Sequence, residues 1–218
     1  MKYHHDKKII PRSIKGVKSF KDLIEFYGDT CFEARYVNRG AKLYERMIND
    51  GDTIWLGISG AGIVGGLGGI VIDLMKNGFI DAICTTGAQA YHDLHHAYGL
   101  PVKQIDPVKV NDNELRKRGD VRIYDMLIKE KETLIKQDNI IRKFVRKHKY
   151  ELVGKDISTA DFLNLLGKYT IKNSKYPGRS FIAMANYYGV PVFLDSSSNH
   201  AIGEDLARMH LDGIDVRI

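Results

Sequence analysis

The sequence predicts an α/β fold, a parallel sheet flanked by helices. Three observations carry that reading. Strand-like and helix-like patterns alternate from residue 53 onward and are joined by short turns. The uncharged run 53–72 holds seven of the chain's 21 glycines between Gly57 and Gly69, which splits it into a strand, a glycine turn and a helix. Helical patterns also close on glycine, at Asn77-Gly78, Gly99 and Gly189.

In chain order, residues 20–27 and 31–49 carry apolar side chains at helical spacing. Asp50-Gly51-Asp52 makes a turn, 53–59 reads as a buried strand, and a helix follows to about Lys76. Residues 79–86 form the next strand and 90–98 the next helix. The stretch 101–120, with two prolines and many charges, reads as an exposed excursion, and 124–149 as one long charged helix or a pair. Ser158 and Asp161 resemble a capping box that opens a helix through Leu166. A helix over 179–188, a strand over 190–194, a helix over 199–211 and a strand over 214–218 complete the pattern. No linker or internal repeat interrupts it, so one domain, 1–218, is expected; ending on an uncovered strand, it reads as truncated at its C-terminus.

Composition narrows the class. Of the 218 residues, 44% are hydrophobic and 28% charged, which excludes a disordered or collagen-like chain. A formal net charge of +6 aids solubility without marking a nucleic-acid binder, and the basic runs near 130–149 are interleaved with acids, as on a solvated helix face. Two cysteines, Cys31 and Cys84, cannot build a disulfide framework, which fits a reducing, cytoplasmic setting. Residues 1–16 lack the apolar core of a secretory signal. Residues 53–72 are long enough to span a bilayer and carry a small face at Gly65 and Gly69. Their glycine density and the flanking Asp52 and Asp73 speak for a buried strand and helix instead.

The chemistry is expected at the carboxyl ends of the strands, where ligands bind in open α/β sheets. Gly60-Ala61-Gly62-Ile63-Val64-Gly65 matches G-x-G-x-x-G between a strand and a helix, a context suited to a diphosphate at a helix N-terminus. The acid usual in such sites closes the second strand, whereas Asp81 opens it, so an ordinary dinucleotide geometry is not expected. Close helix–strand packing is the other reason for glycines here. Thr85 to Ala88 and Asp195 to His200 end two further strands and would join the glycine loop at that edge, as ligand groups or as ordinary helix caps. His92, Asp93 and His96 form H-D-x-x-H, two imidazoles on one helical face. Aspartate is shorter than the usual glutamate and no third ligand stands out, so no metal is expected. Hydrogen bonding at a pocket rim or a solvated face suits these histidines better.

The run from Leu56 to Gly99, with FEARYVNRGAKLYERM before it, NELRKRGDVRIYDMLI after it and GVPVFLDSSSNHAIGEDLARM near the end, resembles deoxyhypusine synthase and its prokaryotic deoxyhypusine synthase-like relatives. The resemblance covers nearly the whole chain and implies a Rossmann-like NAD-binding domain of deoxyhypusine synthase type. It implies a cytoplasmic transferase that uses NAD to move an aminobutyl group from spermidine or a related polyamine, by way of an enzyme lysine. The acceptor is a lysine of the hypusine-containing translation factor or a small amine. Gly60, Ala61, Gly62, Ile63 and Val64 match the family's first NAD loop, and Thr86, Gly87 and Ala88 its second. Asn199 lies where many members have an NAD-contacting aspartate, and Glu204 where eukaryotic members have a spermidine-binding one. Tyr91 and His92 replace paired glutamates that the eukaryotic enzymes use around polyamine and cofactor. A cationic His92 would repel spermidine.

The family's nucleophilic lysine follows a Trp-Gly pair, and the only tryptophan here is Trp55, so no catalytic residue is assigned. The family assembles as homotetramers with sites at subunit interfaces. The implied settings are a fragment, a chain completed by a full-length relative, or a non-catalytic regulatory or scaffolding subunit that binds NAD or that relative. Neither nucleic acid nor membrane is an expected partner.

Overall fold

The computed structural model describes residues 8–196 and 198–218. The first seven residues of the leader reading, and Ser197 of the Asp195-to-His200 reading, lie outside them. The chain divides into two compact units, one ending at Ile54 and one running from Trp55 to Ile218.

The first unit is a helical hairpin of α1 (Phe20–Gly28) and α2 (Phe32–Asp50). Ser19 and Asp22 cap the start of α1 reciprocally, and Gly51, at φ 73°, ends α2 in the left-handed conformation that glycine reaches without strain. Asn38 is buried and donates to the Ile24 carbonyl at 2.8 Å, which ties the helices together.

The second unit is built on three short parallel strands, β1 (Trp55–Ile58), β2 (Ala82–Thr85) and β6 (Val192–Leu194), in the order β1-β2-β6. Leu56, Ile83 and Val192 sit side by side, as do Ile58, Thr85 and Leu194, so these six share one face. Between β1 and β2 the uncharged run breaks as the glycines predict. A wide helical turn (Ile63–Leu67) meets α3 (Gly68–Lys76) at a kink where Gly66 has φ 98°. Among the described residues no helix is long and apolar enough to cross a membrane. After β2 comes α4 (Gly87–Tyr98), which starts three residues earlier than its spacing suggests.

The stretch read as an exposed excursion is instead a second sheet. β3 (Val102–Gln104), the short helix α5 (Asp112–Lys117), β4 (Asp120–Ile123) and β5 (Met126–Lys129) form an antiparallel β3-β5-β4 array. These strands are short and charged on their solvent side, so period-2 patterning is faint. Residues 126–129, expected as helix, are drawn into a strand by pairing on both edges. Met126 and Ile128 pack with Val64 of the glycine turn, joining the second sheet to the first strand's loop.

α6 (Ile135–Lys147) and α7 (Lys149–Leu152) follow. Then come α8 (Thr159–Asn173), capped by Ser158 and longer than expected, and α9 (Phe181–Tyr188). α10 (Ala201–Leu211) follows β6. The final segment adds no strand to the parallel sheet; Val216 and Arg217 make isolated bridges to Val153 and Asp156.

α8 and α9 cross closely because Gly167 lacks a side chain. A Cβ there would lie 2.6 Å from the Ile182 carbonyl oxygen and 3.0 Å from Asn186 Cβ. Gly167→Ala is therefore expected to lower stability by about 2 kcal/mol, read from urea midpoints. Gly40→Ala, at an open position of α2, should raise it by about 0.5–1 kcal/mol.

Candidate functional site

The carboxyl ends of β1, β2 and β6 bring three loops together, and α4 holds them. Thr86 N donates to Ile58 O and Asp195 N donates to Thr85 O, so the ladder continues into the loops after β2 and β6. The Thr85 hydroxyl also donates to Ile58 O at 3.1 Å. Gly60 turns the chain at φ 80°, a left-handed conformation a side chain would strain. Beyond it, Gln89 clamps the loop from both sides. Its amide nitrogen donates to Ser59 O at 2.8 Å and its oxygen accepts from Ile63 N at 3.1 Å. The His96 ring lies 3.2 Å from Ile63 O, placed for its Nε2–H to donate there. Neither glutamine nor histidine at these places stands out in the sequence as a loop clamp.

The positions expected to hold a cofactor divide by what they expose. Ile63 and Val64 turn their side chains into the core, so what they offer outward is backbone. Gly60 and Ala88 are exposed at that edge, while Gly87 is buried. Thr86 is the N-cap of α4 without a side-chain cap, and among the described residues the N–H groups of Gly87 and Ala88 find no acceptor. Gly87 has a second role. A Cβ there would fall inside the His200 ring, which packs over the helix start. His200 in turn caps α10, accepting from Gly203 N at Nδ1 and donating from Nε2 to Ser196 O. Asn199 is exposed in that same loop, and Glu204 is exposed on the first turn of α10. Asp195 and Glu204 are close enough to His200 to favour its charged form, although burial outweighs them and lowers its pKa.

The H-D-x-x-H cluster is structural. Asp93 is fully buried and accepts from Ser180 Oγ (2.5 Å), Phe181 N (2.8 Å) and Ile182 N (3.2 Å), capping α9 across the fold. Burial pushes its carboxyl up to about 7, against the pull of those three donors. Among the described residues no group of three or more His, Cys, Asp or Glu side chains could hold a metal ion.

His92 and His95 form a chain of neutral rings. Gln137 donates to Tyr91 O, so its oxygen accepts from His95 Nδ1 at 2.5 Å. His95 Nε2 then accepts from His92 Nδ1 at 2.9 Å. Burial pushes His92 down to about 4 and His95 to about 3, which replaces the cationic His92 considered from sequence with a neutral one. Tyr91 is buried and donates to Asp138 Oδ1 at 2.6 Å; burial raises its pKa. Nearby, Arg142 holds Asp205 Oδ1 through two donors, at 2.9 and 2.6 Å.

A family model described as deoxyhypusine synthase matches residues 22–217. The chain belongs to the deoxyhypusine synthase family. A deoxyhypusine synthase-like protein of Nostoc sp. (strain PCC 7120) is 34% identical over 217 residues, 98% of this chain and 55% of that protein. One from Elusimicrobium minutum is 30% identical over 192 residues, 87% of this chain and 50% of its own length. The chain spans about half the length of these curated relatives. A crystal structure from Entamoeba histolytica that carries the family name shares the fold, with a TM-score of 0.62 at 13% identity over 96% of this chain and 72% of that one.

Two outcomes follow from this geometry. The Gly87–His200 contact should appear as coupling. Gly87→Ala is expected to cost more than about 2 kcal/mol in the native chain and under about 1 kcal/mol in a His200→Ala background, by denaturant melts. The histidine chain should appear in the pH dependence. Both rings have folded pKa values below their unfolded value, so their contribution is full above pH 6.5 and is lost as pH falls toward 4. Asp93, whose pKa is raised, acts in the opposite sense and is common to both proteins compared. Between pH 7 and 5 the native chain should therefore lose on the order of 2 kcal/mol more than His92→Gln/His95→Gln.

Proposed function

We propose that this sheet edge is the NAD-binding part of a deoxyhypusine synthase-type aminobutyl transferase site. The observation that carries the reading is the meeting, at one edge, of the Gly60 turn and the N–H groups of Gly87 and Ala88, which have no acceptor among the described residues, in a chain of this family. Backbone donors at a helix N-terminus suit a diphosphate, and here the His200 ring borders them over the buried Gly87. Instead of the acid that closes the second strand in ordinary dinucleotide sites, β2 ends in Thr85-Thr86. The Thr85 hydroxyl is committed to Ile58 O, and Thr86 and the exposed Asn199 are polar side chains of these loops that would hold the ribose hydroxyls. When bound, NAD would supply the acceptor for a hydride from the polyamine.

The chain's own residues orient and screen. Gln89 and His96 fix the Gly60 loop, so the backbone that meets the cofactor does not have to be ordered on binding. Asp195 and Glu204, exposed beside His200, supply negative charge for a polycation such as spermidine, and the neutral His92 leaves that field uncancelled. One observation favours the rival reading of a subunit that binds NAD, or a full-length relative, without turnover. The Tyr91 hydroxyl, at a position where eukaryotic members place a glutamate, is tied to Asp138 and not presented to a substrate.

NAD binding followed by saturation-transfer NMR should give a clear signal with the native chain. Gly60→Val should weaken it by about tenfold or more with an unchanged circular dichroism spectrum. Equal signals from both proteins would sink the site assignment. Formation of NADH on adding spermidine would support the transferase reading, and NAD binding with no NADH the rival one.

A further inference from the structure

The histidine chain on α4 has a direction, and that direction is forced from its inner end. Tyr91 O is a carbonyl and can only accept, so Gln137 turns its amide nitrogen toward it and its oxygen toward His95. The reverse setting would bring two oxygens face to face. Each later step then has one solution. His95 carries its proton on Nδ1, 2.5 Å from the Gln137 oxygen, and keeps a lone pair on Nε2. That lone pair accepts the Nδ1 proton of His92 at 2.9 Å. A second proton on either ring is disfavoured. Burial and then His96 oppose a charge on His92; burial, with His92 and His96 beside it, opposes one on His95 against the pull of Gln137. The chain therefore ends in a bare Nε2 on His92.

That end is open. Among the described residues Nε2 of His92 meets no donor. The buried polar atoms left without a partner are Tyr98 Oη, Thr170 Oγ1, Ser174 Oγ and Asp205 Oδ2; His92 Nε2 is not one of them, so it reaches solvent. Its surroundings follow from helix geometry. Gln89, His92 and His96, three and four residues apart, share one face of α4. Gln89 accepts from Ile63 N and His96 lies against Ile63 O, so this is the face that meets the glycine turn. Edge contacts with the Tyr91 and His95 rings, at 5.3 and 5.0 Å between centroids, hold the half-buried imidazole in place.

We propose that Gln137 and His95 are positioning residues that lock His92 in its Nδ1–H form, so that His92 offers one neutral acceptor, the Nε2 lone pair, to an N–H or O–H donor on the ligand held at the glycine turn. The lock follows from the hydrogen bonds alone. The identity of the donor rests on the proposed function, in which it is an amine N–H of the polyamine. A free imidazole exchanges its proton between two nitrogens, whereas here that exchange would break two hydrogen bonds of the chain. The site thus reads the sense of a hydrogen bond. A donor at this point is met, and a ligand with an acceptor or a methyl group there leaves the lone pair without a partner and binds about tenfold more weakly.

Long-range proton–nitrogen NMR on the isotope-labelled chain reads the proton position on each ring, with His92→Gln and His95→Gln for assignment. Without ligand, both rings should show a protonated Nδ1 and a bare Nε2, unchanged between pH 7 and 5.5. Gln137→Leu should release the lock, so that His92 exchanges between its two neutral forms while the circular dichroism spectrum stays the same. An Nε2–H form or a cation at His92 in the native chain overturns the proposal, whether or not that variant folds. Diethyl pyrocarbonate, which attacks a bare ring nitrogen, should modify His92 at equal rates at both pH values. A His92 that does not react is sealed from ligands, which refutes the offered acceptor. Spermidine should protect His92 from the reagent, shift its Nε2 resonance, and bind about tenfold more weakly to Gln137→Leu. Spermidine bound with His92 Nε2 unmoved overturns the ligand role and leaves the proposed function standing. Absence of any spermidine binding refutes the polyamine reading and the donor named here, while the lock, which is read without ligand, is judged on its own spectrum.

Discussion

A buried helix that carries polar side chains is held in place by the partners they find, because an unmet buried donor or acceptor costs about 1–3 kcal/mol. α4 is such a helix, and the site is arranged around how it meets that demand. Gln89 fastens the glycine loop of β1, Asp93 caps α9, His95 reaches Gln137 of α6, and His96 reaches the turn before α3. One helix thereby sets the positions of the elements on either side of it. The open N–H groups at its start keep their direction because the rest of the helix cannot move without breaking several buried bonds.

This arrangement changes the meaning of the histidine-rich segment. Spacing alone offered a metal helix or a charged pocket rim. Burial leaves His92 and His95 neutral, and Asp93 is spent on a helix cap. The charge at the edge comes instead from Asp195 and Glu204, exposed beside His200. The charge at this edge therefore comes from the loop after β6 and the first turn of α10, while the cluster on α4 supplies rigidity.

The sheet follows a different constraint. Both steps of the β1-β2-β6 order run in the same direction, and Leu56, Ile83 and Val192 lie on the better-buried face while Trp55 and Cys84 on the other are exposed. The same order puts the glycine loop at the free edge and not in the middle of the sheet.

The sequence by itself determined the strands of the parallel sheet to within a few residues, the glycine turn and the glycine-terminated helices. Those signals are local: runs of uncharged β-formers, 3.6-residue spacing, and the left-handed conformation that glycine adopts freely. Its motifs also carried the family, which the comparison with known proteins bears out. Only the tertiary structure decided the antiparallel sheet, since residues 126–129 become a strand through hydrogen bonds to β3 and β4. It alone decided that Asp93 caps a helix 87 residues away and that Gly87 is needed to admit the His200 ring. It also set the end of the chain against Val153 and not on the sheet. Each of these depends on which distant segment arrives to satisfy a buried polar group or fill a space, and no local pattern records that.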